Sequence, residues 1–159
     1  MNTDNYYTGA AISDSEMVCE LLKNFYFLIY ERYNIERLSV GGMHYPSLCF
    51  THYLTKQSVD IAGGDVGTSD YKCLITISNG KWGLFGRKHK IFYINDYFAV
   101  FNSPMVKGRD YSPAEYANFI QQNLMPVIRG EMWIDELLIR QGKTPPVIEK
   151  TKERYVRSE

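Results

Sequence analysis

Tyr71-Lys72-Cys73-Leu74-Ile75-Thr76-Ile77-Ser78-Asn79-Gly80-Lys81-Trp82-Gly83-Leu84-Phe85 is the stretch whose reading decides the fold class. Its β-branched and apolar run, Tyr71 to Ile77, predicts a strand. Asn79-Gly80 then predicts a tight hairpin into Lys81 to Phe85, because a type I′ turn needs positive φ at both central positions. Lys90 to Ile94 and Tyr97 to Phe101 predict a further pair around Asn95-Asp96.

Upstream, Glu36 to Val40, Ser47 to Leu54 and Ser58 to Ala62 read as three more strands, the first and third ended by paired glycines. Alternation along the second puts Leu48, Phe50 and His52 on one face and Cys49, Thr51 and Tyr53 on the other. Strand follows strand with no crossover helix between them, so the sheet is expected to be largely antiparallel.

Helices flank this β section. Ser13-Asp14-Ser15-Glu16 has the form of a capping box, and Met17, Leu21, Phe25 and Leu28 follow at helical spacing, predicting a helix from about 14 to 33. Ser112-Pro113-Ala114-Glu115 opens a second, striped by Tyr116, Phe119, Ile120 and Leu124 and ended or kinked by Pro126. A third runs from about Glu131 to Arg140, capped by Gly142. The layout is α+β: an N-terminal helix, a largely antiparallel sheet of about five to seven strands, and two C-terminal helices. Residues 1–144 read as a single α+β domain and 145–159 as a charged C-terminal tail.

Composition narrows the function classes. The 159 residues are 45% apolar and 23% charged, which excludes collagen, coiled-coil and disulfide-scaffold classes. Eighteen basic residues balance eighteen acidic ones, which argues against a whole-protein footprint for nucleic acid. The charge is unevenly shared: residues 1–80 carry 5 basic and 9 acidic side chains, a net of −4, and residues 81–159 carry 13 and 9, a net of +4. Cys19, Cys49 and Cys73 are odd in number and lack a CxxC, which suits reduced thiols in a cytoplasmic protein. Met1 to Ala10 lacks the basic region of a signal peptide, and Phe25 to Tyr30 is far short of the roughly 20 residues needed to span a bilayer, so no membrane partner is expected.

Each chemical constellation fails on spacing or facing. Gly63-Gly64-Asp65-Val66-Gly67 lacks the Lys-Ser/Thr of a phosphate loop and reads as a turn. Asp60, Asp65 and Asp70 do not match a calcium loop, so no metal is expected there. His44, Cys49 and His52 suggest a zinc or thiol site, but alternation sets Cys49 and His52 on opposite faces. No residue pattern calls for a cofactor.

Arg87-Lys88-His89-Lys90, between Trp82-Phe85 and Phe92-Tyr93, is the densest basic cluster and the alternative basic site, suited to a single nucleic-acid strand. A solvated loop between strands explains it more simply. Thirteen tyrosines, including Tyr45 and Tyr111 in predicted loops, suit a protein interface. Two classes of function therefore stand: a binding protein that occupies a partner, and an enzyme whose site assembles from scattered residues. The first leads.

With hairpins over Tyr71 to Ser103, marked by Asn79-Gly80 and Asn95-Asp96 and set between the capped helices at Ser13 and Ser112, the chain resembles the immunity proteins of bacterial toxin systems, including contact-dependent growth inhibition. The resemblance implies a specific complex with a cognate toxin domain, blocking its active site or substrate path. If that toxin is a nuclease, its basic cleft calls for an acidic patch on this chain. On that reading Asp60, Asp65 and Asp70 carry the charge, with Tyr45 or Tyr71 as aromatic anchors.

Overall fold

The structure is a computed structural model and describes residues 14–39, 46–63, 73–79 and 90–148. Ser13, Gly80 and the predicted strand 81–85 lie outside them, as do His44, Tyr45, Asp65, Asp70, Tyr71, Arg87, Lys88, His89 and the last eleven residues. Among the described residues two helical segments come first, α1 (Asp14–Phe25) and α2 (Phe27–Tyr30). Arg32, in the left-handed region at φ 68°, then turns the chain into β1 (Tyr33–Ser39). β2 (Ser47–His52), β3 (Ser58–Gly63), β4 (Cys73–Ser78) and β5 (Ile91–Tyr93) complete an antiparallel sheet of five strands in sequence order. The fold class is α+β, with an N-terminal helix and C-terminal helices around this sheet, as the sequence indicates.

Helices cover one sheet face. Leu48, Phe50, Val59, Ile61, Cys73, Ile75, Ile77 and Phe92 point to it and are buried. α1 packs there through Met17, Val18, Leu21 and Phe25, crossing β3 so closely that a Cβ at Gly63 would lie 2.8 Å from the Met17 sulfur. α3 (Pro113–Asn123) packs against α1. It opens with the predicted capping box: Ser112 Oγ accepts from the Glu115 N–H while the Glu115 carboxylate accepts from the Ser112 N–H. α4 (Met125–Ile128) and α5 (Ile134–Arg140) follow, with Trp133 edge-on to Phe92 at 5.3 Å.

Two predicted strand pairings are corrected. β4 pairs with Ile91–Tyr93 rather than with Lys81–Phe85: the ladder joins Thr76 to Tyr93 and Ser78 to Ile91, and the Asn79 N–H continues it to the Lys90 carbonyl. The expected turn at Asn79-Gly80 and residues 81–89 lie outside the described residues. Tyr97–Phe101 is not a strand. The chain forms a 3₁₀ turn over Ile94–Tyr97 and then a run of turns. Ile94, Asn95, Tyr97, Phe98 and Phe101 are the buried residues, a spacing of three and four rather than two, and Phe98 stacks edge-on against Phe119 at 5.0 Å.

A buried polar cluster ties the C-terminal helices to the sheet. Tyr33 Oη donates to the Ile128 carbonyl at 2.7 Å and accepts from Gln57 Nε2 at 2.8 Å, and the same amide donates to the Val127 carbonyl at 2.8 Å. Both carbonyls lie at the end of α4: that of Val127 also accepts from the Gly130 N–H at 3.0 Å, and that of Ile128 has the Tyr33 phenol as its donor. Burial pushes the Tyr33 phenol above its ordinary range, so it stays a donor. His52 sits edge-on to Tyr33 at 5.0 Å, and its Nδ1 accepts the Leu54 and Thr55 N–H groups at 3.2 and 3.1 Å.

Two outcomes follow for stability. Tyr33→Phe leaves the Ile128 carbonyl without its donor and is expected to cost about 1–3 kcal/mol in urea unfolding. For His52, burial first and the Arg32 charge second lower the folded-state pKa. The unfolded chain then takes up its proton near about pH 6.5, before the folded chain does. Stability is therefore full above that pH, falls on acidification through it, and levels once the folded imidazole is also protonated. His52→Gln, though less stable throughout, should show a smaller stability difference between pH 7.5 and pH 5 than the parent, measured by urea unfolding at each.

Candidate functional site

The second sheet face is bare of helices among the described residues. It presents Asn34, Arg37 and Ser39 from β1, Ser47, Cys49 and Thr51 from β2, Ser58, Asp60 and Ala62 from β3, and Leu74, Thr76 and Ser78 from β4. β5 adds Ile91 and Tyr93 beside Ser78 and Thr76. Mostly small and polar side chains at alternate positions make this face while their neighbours fill the core, the pattern of an antiparallel sheet buried on one side.

Asp60 is the candidate residue that the structure describes in full, and it lies at the middle of this face. Its side chain is 40% exposed, with an Arg37 guanidinium nitrogen 3.7 Å away. Ser58 Oγ donates to its Oδ2 at 3.2 Å. Around it Arg37, Ser47, Cys49, Asp60 and Thr76 line a shallow depression of about 220 Å³. An ion pair this exposed is worth little in place, about 0–1 kcal/mol, so Asp60 can exchange Arg37 for a cation on another molecule at small cost.

Cys49 pairs across the strands with Asp60. Burial, and then a hydrogen bond to the Asp60 carboxylate, push its thiol up to about 12. Cys73, enclosed on the helix side, is also pushed up to about 12 by burial. A thiol held protonated is neither a nucleophile nor a ready metal ligand. His52 lies on the covered face, opposite Cys49, and both backbone bonds to its Nδ1 are local. Among the described residues, no group of three or more His, Cys, Asp or Glu could hold a metal ion.

Of the alternative basic site, Lys90 alone is described. Its ammonium lies 3.9 Å from Asp135 at the start of α5, and its backbone closes the β4–β5 ladder through Asn79. It shares a cavity of about 300 Å³ with Gln57, Asn79 and Trp133. No described helix is long and apolar enough to cross a membrane. No family model matches the chain, and neither a curated protein nor a solved structure does.

Arg37 is the site residue that sequence reasoning missed. It reaches Asp60 across β2 only because of the sheet order, and nothing local to Glu36-Arg37 signals that partner. Thiol reactivity tests the arrangement. Near pH 7.5 a thiol-specific reagent should label exposed Cys19 quickly, and Cys49 and Cys73 only on unfolding. Rapid labelling of Cys49 in the folded protein would show an accessible thiolate on the open face.

Proposed function

We propose that the chain is a non-catalytic protein-binding module, an immunity protein that neutralises a cognate toxin domain by binding it and occluding its active site. Asp60, Asp65 and Asp70 supply acidic contacts, and Tyr45 and Tyr71 aromatic anchors. One observation carries this reading. Ser39, Ser47, Gly63 and Cys73 stand side by side at one end of the sheet, through the pairs Ser39–Ser47, Ser47–Ala62 and Gly63–Cys73 and a Gly63 N–H bond to the Pro46 carbonyl. The strand ends that the segments 40–45 and 64–72 join are therefore neighbours in the sheet whose open face bears Asp60.

Electrostatic complementarity at such a surface sets association rate and partner choice. A protein surface built this way needs no perturbed nucleophile, which agrees with the protonated Cys49 thiol on the same face.

The test is co-expression with the products of the adjacent genes. One of them should be toxic alone, be rescued by this chain, and co-purify with it in a fixed ratio. Asp65→Lys with Asp70→Lys should then weaken the complex at least about tenfold while leaving the unfolding midpoint unchanged. Unchanged affinity would remove this surface from the reading, and the absence of any rescued toxic product would remove the immunity function.

A further inference from the structure

β1 is an edge strand whose outer side is unpaired among the described residues, since its one sheet neighbour is β2. From Asn34 to Leu38 every residue is exposed, and two of these are large and apolar: Ile35 at 42% and Leu38 at 46%. Edge strands with free backbone groups are templates for pairing, and natural proteins commonly blunt them with charges or a bulge. β1 has both, Glu36-Arg37 and a break of register between Ile35 and Arg37.

That bulge changes which residues share a face. In a regular strand residues three apart point to opposite sides. Here Ile35 lies across from Phe50 and Leu38 across from Leu48, so both project on the helix-covered side. Arg37 lies across from Cys49 on the open face, and Glu36 reaches the same face, where Thr51 Oγ donates to its carboxylate.

The strand is consequently self-complementary. Laid antiparallel against a second copy about a two-fold axis, Ile35 faces the second copy's Leu38, Glu36 faces its Arg37, and Asn34 faces its Ser39. Each pair falls on one face of the combined sheet. Apolar meets apolar on the covered side, and opposite charges meet twice on the open side. A strand without the bulge could not satisfy this register, because Glu36 and Arg37 would then point to opposite faces. The Arg37 side chain is 73% exposed and only loosely held by Asp60, so it is free to reach across.

We propose that β1 is a dimerisation edge, joining two copies of this chain into one continuous ten-stranded sheet. Isologous two-fold contacts are the commonest way identical chains associate, and each favourable pair is made twice. The proposal does not rest on the toxin-binding reading, although the two surfaces meet at Arg37 and Ser39.

Sedimentation of the whole chain over about 1–500 µM tests it, the range suited to an interface at the small end of the size classes. A concentration-dependent species of 37 kDa, twice 18.5 kDa, is expected. Leu38→Lys should abolish it. R37E should weaken it about tenfold or more, because two attractive cross-strand pairs become repulsive. E36R should do the same, and the double swap E36R/R37E, in which opposite charges face each other again, should restore association. Each variant is checked by circular dichroism and its unfolding midpoint. A single 18.5 kDa species at every concentration overturns the proposal. So does a dimer indifferent to Leu38→Lys or to R37E, or a double swap that fails to rescue.

Discussion

The bonds from Tyr33 and Gln57 to the last carbonyls of α4 are the constraint around which the rest of the molecule is arranged. A helix end buried against a sheet exposes carbonyls to an apolar interior, and each unmatched one costs about 1–3 kcal/mol. Tyr33, the first residue of β1, meets that need at Ile128, and Gln57, from the turn before β3, adds a second donor at Val127 beside the Gly130 N–H. Fixing them sets where β1 begins and which face the C-terminal helices occupy. It also brings the segment before β1 and the end of α4 together, with Arg129 and Glu31 paired at 3.1 Å just outside the cluster. The buried core is then gathered on that side, and the other face carries mostly small and polar residues, with Leu74, Ile91 and Tyr93 toward its β4–β5 side.

Features that depend on neighbours in sequence were legible before the structure. The Ser112–Glu115 box is written in four consecutive residues, and the alternation Leu48, Cys49, Phe50, Thr51, His52 fixes faces without reference to any partner. Features that depend on distant partners were not. Asn79-Gly80 is a strong local signal, but it does not name the partner of β4, which is Ile91–Tyr93, where Phe92 is buried beside Ile77 and Trp133. The segment Ile94–Phe101 has the aromatic content of a strand. Its buried positions nevertheless recur every three or four residues, so packing against α3 rather than β-propensity decides its shape.

The candidate site divides along the same line. Alternation alone separates Cys49 from His52 and so disposes of a shared metal or proton between them. Asp60 was visible as an acidic residue within a predicted strand. The ion pair with Arg37 and the hydrogen-bonded thiol beneath it were not, since both arise from the order β1-β2-β3. Gln57 is the extreme case. Nothing in its neighbourhood marks it as buried, and its role is set by carbonyls seventy residues away in sequence.

One-sided burial also decides where the molecule can meet others. A sheet covered on a single face offers three kinds of surface: the bare face, the loops at its ends, and any strand edge left unpaired. β5 is only three residues long and is guarded by Trp133 and the Lys90–Asp135 pair, so it presents little backbone to a partner. β1 presents seven residues, and its bulge, a device that usually spoils pairing, here sorts apolar and charged side chains onto opposite faces. The same irregularity that turns Arg37 toward Asp60 turns Ile35 and Leu38 together toward the covered side. A substitution that straightened β1 would therefore disturb the open face and the edge at once, which couples the two surfaces through a single extra residue.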